Sequence, residues 1–155
     1  MERTFIAIKP DGVKRGFIGK IIERFENKGY KIIGLKMLHP TQEIAALHYQ
    51  EHYGKPFYDS LVNYITSGPI VAMVLEGKDV IAGSRHIMGS TLPNQAEAGS
   101  IRADYSVSKE YNSVHGSDSP ASAEREISIY FSEEELCADW KTALEILIEE
   151  QEYNE

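Results

Sequence analysis

The chain has 155 residues and a mass of 17.4 kDa, enough for one ordinary domain with a full hydrophobic core. Its 42% apolar and 26% charged residues exclude a disordered chain, and no apolar run reaches the roughly 18–20 residues of a membrane span. A net charge of −8 without a basic run argues against general nucleic-acid binding, and the single cysteine, Cys137, excludes an intrachain disulfide or a cysteine-based metal site.

The acidity is confined to one end. Glu124 to Glu155 carries eleven acids and two bases, whereas Met1 to Ala123 is nearly neutral. A phosphorylated small molecule, which needs only a few local cations, remains compatible with this balance. The start of the chain has too short an apolar follow-on for a signal peptide, so the expected compartment is the cytoplasm.

Thr4 to Ile8 reads as a buried strand that stops at the turn signal Lys9-Pro10-Asp11-Gly12. Ile18, Ile21, Ile22 and Phe25 follow at helical spacing, with Gly29 where a helix ends. Tyr30 to Leu38 is a second strand. Thr41 is placed to cap a helix, and a further helical stretch covers Phe57 to Ile65. Pro69 to Leu75 is strand-length, and Val80, Ile81, Ser84, Ile87 and Met88 mark a helix closed by Gly89. Ser90 to Pro120 has no periodicity, and irregular stretches of this length inside a domain are more often functional than idle. Glu126 to Phe131 reads as a strand. The capping box Ser132-x-x-Glu135 then introduces a helix bearing Leu136, Trp140, Leu144 and Leu147. With the two inserted helices and the final helix set aside, the order is βαββαβ, which predicts an α+β, ferredoxin-like sandwich: four antiparallel strands with helices on one face.

Neither glycine-rich nucleotide signature occurs, nor a Gly-x-Ser-x-Gly elbow. His48 and His52 stand at helical spacing, and two packed or solvated histidines are a better reading than a metal site. His115 lies in Asn112-Ser113-Val114-His115-Gly116-Ser117-Asp118, inside the irregular stretch. A neutral imidazole offers a nucleophilic nitrogen, Gly116 permits close approach, and Ser117 and Glu126 could orient the ring. On spacing alone, an ordinary surface histidine is the better reading. Lys9, Arg85 and Arg102 lie near element ends and suit phosphate, while Tyr49, Phe57 and Tyr58 are candidates for base stacking.

Asn112-x-x-His115-Gly116-Ser117-Asp118 resembles the active-site signature of nucleoside diphosphate kinases. Glu2 to Val13, Ser67 to Met73, Gly99 to Asp104 and Glu124 to Ile127 are similar to the family in order and spacing, so the resemblance covers about residues 2–136. It implies a kinase domain over 1–136 and an acidic helical extension of it over 137–155. It also implies transfer of the γ-phosphate of a nucleoside triphosphate to a nucleoside diphosphate through a phosphohistidine on His115.

By the same resemblance, Lys9 meets the γ-phosphate and ribose. Arg85, Thr91 and Arg102 hold phosphates, Asn112 binds sugar hydroxyls, and Phe57 stacks on the base. Tyr49 supports the site, and Ser117 and Glu126 back His115. Mg²⁺ bridges the phosphates largely through water, with Asp118 nearby. The implied assembly is a homohexamer, with a tetramer as the other family form, and neither a membrane nor a specific nucleic acid is an expected partner. Lys109, Leu92, Ser100 and Ala103 depart from the common family residues, and the acidic tail departs most. A catalytically silent nucleotide-binding module is the alternative, and loss of His115 or Lys9 would be its mark. An RNA-binding sheet is a third class, disfavoured by the acidic balance.

Overall fold

A strand covered on both faces cannot alternate apolar with polar residues, and it reads instead as an unbroken apolar run. Thr4 to Ile8 and Ile70 to Leu75 are such runs, and both lie at the centre of the sheet. A computed structural model describes residues 1–154. Its sheet has the order β2-β3-β1-β4, with β1 at Glu2–Ile8, β2 at Lys31–Leu38, β3 at Ile70–Gly77 and β4 at Val114–Gly116. Every neighbouring pair is antiparallel. The fold is the ferredoxin-like α+β arrangement that the element order predicts.

Alternate residues of the central strands feed two cores. Phe5, Ala7, Ala72 and Val74 pack under α3 (Gln42–His48), α4 (Tyr58–Ile65) and α7 (Pro120–Tyr130). Ile6, Ile8, Val71, Met73 and Leu75 pack under α2 (Ile18–Asn27) and α5 (Val80–Met88). Helices therefore cover both faces, not one, because the inserted helices take the second face.

Local signals place several ends as expected. Thr41 Oγ1 accepts from Ile44 N at 3.1 Å to cap α3. Gly29, with φ of 88°, follows α2 in the left-handed conformation that suits glycine. The Lys9-Pro10 turn opens a short helix, α1 (Pro10–Lys14), since proline is well suited to a first helical position.

Three further expectations fail for identifiable reasons. Glu126–Tyr130 of the predicted strand is the last part of α7, and Phe131 follows it in an extended conformation. Ser119 caps that helix through Ser122 N, Pro120 starts it, and Ala123, Ile127 and Tyr130 keep helical spacing. The fourth strand lies instead at His115. At three residues it is too short to leave a period-two pattern. The stretch from Ser90 to Pro120 also holds α6 (Ile101–Tyr105), capped by Ser100 Oγ. Finally, the capping box at Ser132 opens only a single 3-10 turn, Glu133–Glu135. The next helix, α8 (Ala143–Asn154), begins well after Leu136 and Trp140. Between them the backbone bonds elsewhere: Cys137 N–H donates to Ile33 O, and Lys31 Nζ donates to the carbonyls of Ala138 and Trp140. Among the described residues, no helix is long and apolar enough to cross a membrane.

Candidate active site

β1 and β4 carry the site between them. Ala7 lies opposite His115 in the register, and the His115 ring tilts against Phe5 at 6.0 Å between centroids. This places the imidazole on the face covered by α7, which supplies Glu126. His115 Nε2 hydrogen-bonds Glu126 Oε1, and Ser117 Oγ donates to the same oxygen at 3.1 Å. Ser117 is itself fixed to β1, accepting from Phe5 N at 3.3 Å.

A buried carboxylate only accepts, so the proton of a neutral His115 sits on Nε2. Nδ1 keeps its lone pair. Among the described residues, the ring has no other hydrogen bond, and its side chain is 24% exposed. An imidazole with an orienting carboxylate behind it can serve as a nucleophile.

His48, at the end of α3, forms a neutral wall. Burial holds its pKa well below the ordinary histidine value, and the neighbouring His115, Lys9 and Arg125 push it the same way. Its Nδ1 bonds Tyr130 OH at 2.6 Å, and its ring meets His115 edge-on at 4.6 Å. Tyr49 stacks on the His48 ring at 4.6 Å, and burial, then the nearby Glu126 charge, pushes its hydroxyl up to about 12. His48 is packed, one of the two readings its spacing with His52 allows, but the sequence does not mark it as a neighbour of His115. The signal for its packing is present, since Ala45 and His48 are three apart on the buried side of α3.

Three cations gather at the same end. Lys9 Nζ donates to Asn112 Oδ1 at 2.9 Å. Burial and then Arg102 pull the Lys9 pKa down to about 8, against a partial offset by Asp11. Buried Arg102 donates to the carbonyls of Gly89 and Val114, each at 2.8 Å, and to that of Asn112 at 3.3 Å. Burial and then Arg85 lower its pKa to about 10. Arg85 Nη1 donates to Gly116 O at 3.1 Å. Among the described residues none of the three cations forms a salt bridge, although Asp11 lies near Lys9 and Asp118 near Arg85, and cations left without a direct ion pair can meet phosphate.

The remaining predicted residues sit around this group. Asp118 is exposed, and the hydroxyl of Ser122 (2.7 Å) holds its carboxyl below the ordinary range, with Arg85 helping. Phe57 stands at the start of α4, 47% exposed, with His52 against it at 5.3 Å. Thr91 is exposed in the segment after Gly89. Among the described residues, Phe57 and Thr91 make no hydrogen bond or ring contact with the group around His115.

A family model described as nucleoside diphosphate kinase matches residues 2–136. The chain belongs to the nucleoside diphosphate kinase family. It is 59% identical over 136 residues to the nucleoside diphosphate kinase of Moorella thermoacetica, covering 88% of this chain and 98% of that protein. It is 56% identical over 142 residues to that of Carboxydothermus hydrogenoformans, covering 92% and 95%. Among solved structures, a halophilic nucleoside diphosphate kinase from Halobacterium salinarum in complex with CDP superposes with a TM-score of 0.90 at 46% identity, covering 95% and 97%. A family member from Babesia bovis gives 0.91 at 44% identity, covering 96% and 99%.

Both residues whose loss would mark a silent member of the nucleoside diphosphate kinase family, His115 and Lys9, are present. The ligand atoms of His48, His115 and Glu126 lie within 4.8 Å of one another, a composition that could hold a metal. Its shared carboxylate oxygen is already taken by Nε2 and Ser117. The trio is therefore a hydrogen-bonded His115–Glu126 pair packed against the neutral His48 ring.

Proposed function

We propose that the family's reaction, transfer of the γ-phosphate of a nucleoside triphosphate to a nucleoside diphosphate, runs in this chain through His115. The observation that carries the reading is the tether of Nε2 to buried Glu126, which leaves Nδ1, among the described residues, without a partner on the strand whose flanking groups Lys9, Arg85 and Arg102 hold. Nδ1 attacks the γ-phosphorus in line, the N–P bond forms, and the bond to the β-phosphate oxygen breaks. The nucleoside diphosphate leaves. A terminal oxygen of the second diphosphate then attacks phosphorus, the N–P bond breaks, and His115 is restored.

Glu126 stabilises the charge that the ring gains on phosphorylation, and Ser117 keeps that carboxylate aimed. Phosphoryl transfer has a loose transition state, so positioning and neutralisation do most of the work. Lys9 meets the γ-phosphate and the ribose, Arg85, Thr91 and Arg102 hold phosphates, and Asn112 binds the sugar. Tyr49 acts by packing on His48. Phe57 stacks on the base, and a stacking contact without base-edge hydrogen bonds accepts every base. Mg²⁺ suits the site, because one ionised carboxylate, Asp118, together with substrate phosphates is the usual way a protein holds it. When bound, the ion neutralises phosphate charge.

Residues 1–136 form the kinase domain and 137–155 an acidic extension of it. The chain works in the cytoplasm as a homohexamer. Exposed Leu35 and Met37 on the edge strand β2 favour burial against another copy. Light scattering near two or four chain masses would sink the hexamer.

The reading as a whole is tested by incubating the protein with γ-labelled ATP and Mg²⁺ without an acceptor, beside His115→Asn. Acid-labile label should approach one phosphate per chain, vanish on adding any diphosphate, and be absent from the variant. Label retained by His115→Asn would overturn it.

A further inference from the structure

Ser113 is fully buried and has a φ of 70°. Left-handed backbone of this kind is unfavourable for a residue with a Cβ, and it persists only where the surroundings enforce it. The hydrogen bond from Val114 N to Asn112 O, at 2.8 Å, closes a three-residue turn around it. With positive φ at the centre, this is the rare, strained form of the γ-turn.

The turn stands between the residues read above as phosphate- and sugar-binding and the one read as nucleophile. On one side, Asn112 takes Lys9 Nζ through its side chain and Arg102 Nε through its carbonyl. On the other, Val114 O takes Arg102 Nη2, and His115 follows. Ser113 O accepts Lys9 N at 2.8 Å, so the turn also sets where Lys9 leaves β1.

What enforces the turn is a carboxylate on another element. Asp11, in α1, accepts from Ser113 Oγ at 2.8 Å through Oδ2 and from Tyr64 OH of α4 through Oδ1. Its own N–H donates to the same tyrosine oxygen at 3.1 Å. Ser106 Oγ donates to Ser113 Oγ at 2.9 Å, completing the grip. α1 can come this close because Gly12 has no side chain: a Cβ there would lie 3.2 Å from Ser113 O and 2.9 Å from Ile8 Cγ2.

We infer that Asp11, through Ser113 and Tyr64, is a positioning residue for phosphoryl transfer. It holds the strained turn at Ser113 closed, so that Lys9, Asn112 and His115 stand in one fixed register. The inference rests on His115 as the phosphate carrier, and labelling of the wild-type chain checks that separately.

The test compares Ser113→Ala, Ser113→Gly and Asp11→Asn in the full chain. Its readouts are the single-turnover rate of His115 phosphorylation, KM and thermal unfolding. Ser113→Ala keeps the conformational penalty and loses the grip, so phosphorylation should slow by about tenfold or more. Ser113→Gly also loses the grip, but glycine adopts positive φ freely, so it should retain most of the wild-type rate. Asp11→Asn should slow the wild-type chain and have a smaller effect in the Ser113→Gly background.

A merely structural serine predicts the opposite order, because glycine removes more packing than alanine. The inference is overturned if Ser113→Gly is as slow as Ser113→Ala. It is equally overturned if the effects of Asp11→Asn and Ser113→Gly multiply independently, or if rates follow thermal stability alone. Should the alanine variant fail to fold, Asp11→Asn in the two backgrounds still decides.

Discussion

Two irregular segments of this molecule are held by the same device, one buried cation donating to several backbone carbonyls. Arg102 ties the segment before and through β4 by the carbonyls of Gly89, Asn112 and Val114. Lys31 ties the segment between the 3-10 turn and α8 by those of Ala138 and Trp140. Their electrostatic settings differ. Lys31 has the Glu76 carboxylate 3.7 Å away and the Trp140 ring under its ammonium at 4.9 Å. Arg102 has other cations, Arg85 and Lys9, and forms no salt bridge among the described residues. Where the charge is matched, the cation is a structural fastener. Where it is left over, the same fastening leaves a positive charge for an anion to complete.

The sharpest way to break this contrast is to change both cations. Arg102→Lys keeps a charge but loses the planar fork. Two carbonyls would lose their partner, costing about 2 kcal/mol of stability, and kcat/KM should fall roughly 100-fold. Lys31→Met should cost roughly 2 kcal/mol, because the carbonyls of Ala138 and Trp140 lose their donor, while Glu76 keeps Arg3 at 2.9 Å. The kcat/KM of the folded fraction should not change. Denaturant titration and steady-state kinetics on the same samples separate the two effects. An equal loss of activity in both variants would erase the distinction.

The sequence bears on the two segments unequally. Thr4 to Ile8 and Ile70 to Leu75 are legible because buried strands need continuous apolar runs, and turn residues bound both. His115 and its neighbours are legible as a motif, yet the motif does not say that they sit on a strand. A three-residue strand pairing only with β1 leaves no pattern of its own. Glu126 is legible as a partner of His115 but not as a helical residue. The β-branched Ile127 and Ile129 suggest a strand, whereas Ser119-Pro120 marks the helix start. In the tail, the capping box is present but the helix is delayed, because Lys31 and Ile33 compete for the backbone groups a helix would need. That competition is tertiary and has no local signal.

An intermediate effect is expected from pH. In the free chain Lys9 has a pKa of about 8 rather than 10.5. It loses its charge above pH 8, so kcat/KM should decline there, while kcat at saturation should hold to higher pH because bound phosphate favours the charged amine. The linkage to folding has the opposite sense. Between about pH 8 and 10.5 the unfolded chain binds a proton that the folded chain has released. This group alone therefore makes stability rise with pH across that window. Lys9→Arg should abolish the alkaline decline in kcat/KM, and a decline unchanged in that variant would assign it to another group.

The smallest expected effect tests whether the 3-10 turn that leads into the Lys31-tethered segment is separate from the chemistry. Glu135 accepts from Ser132 N at 2.9 Å and from Lys36 Nζ at 2.9 Å. The backbone bond, then Lys36, holds its carboxyl below the ordinary range. Both contacts are exposed, so water replaces much of what they supply. Glu135→Ala should lower Tm by only about 1–2 °C and leave single-turnover phosphorylation unchanged. A fall in that rate without a matching fall in Tm would couple this turn, and the segment it leads into, to the site, and the contrast between the two fasteners would then fail at its quieter end.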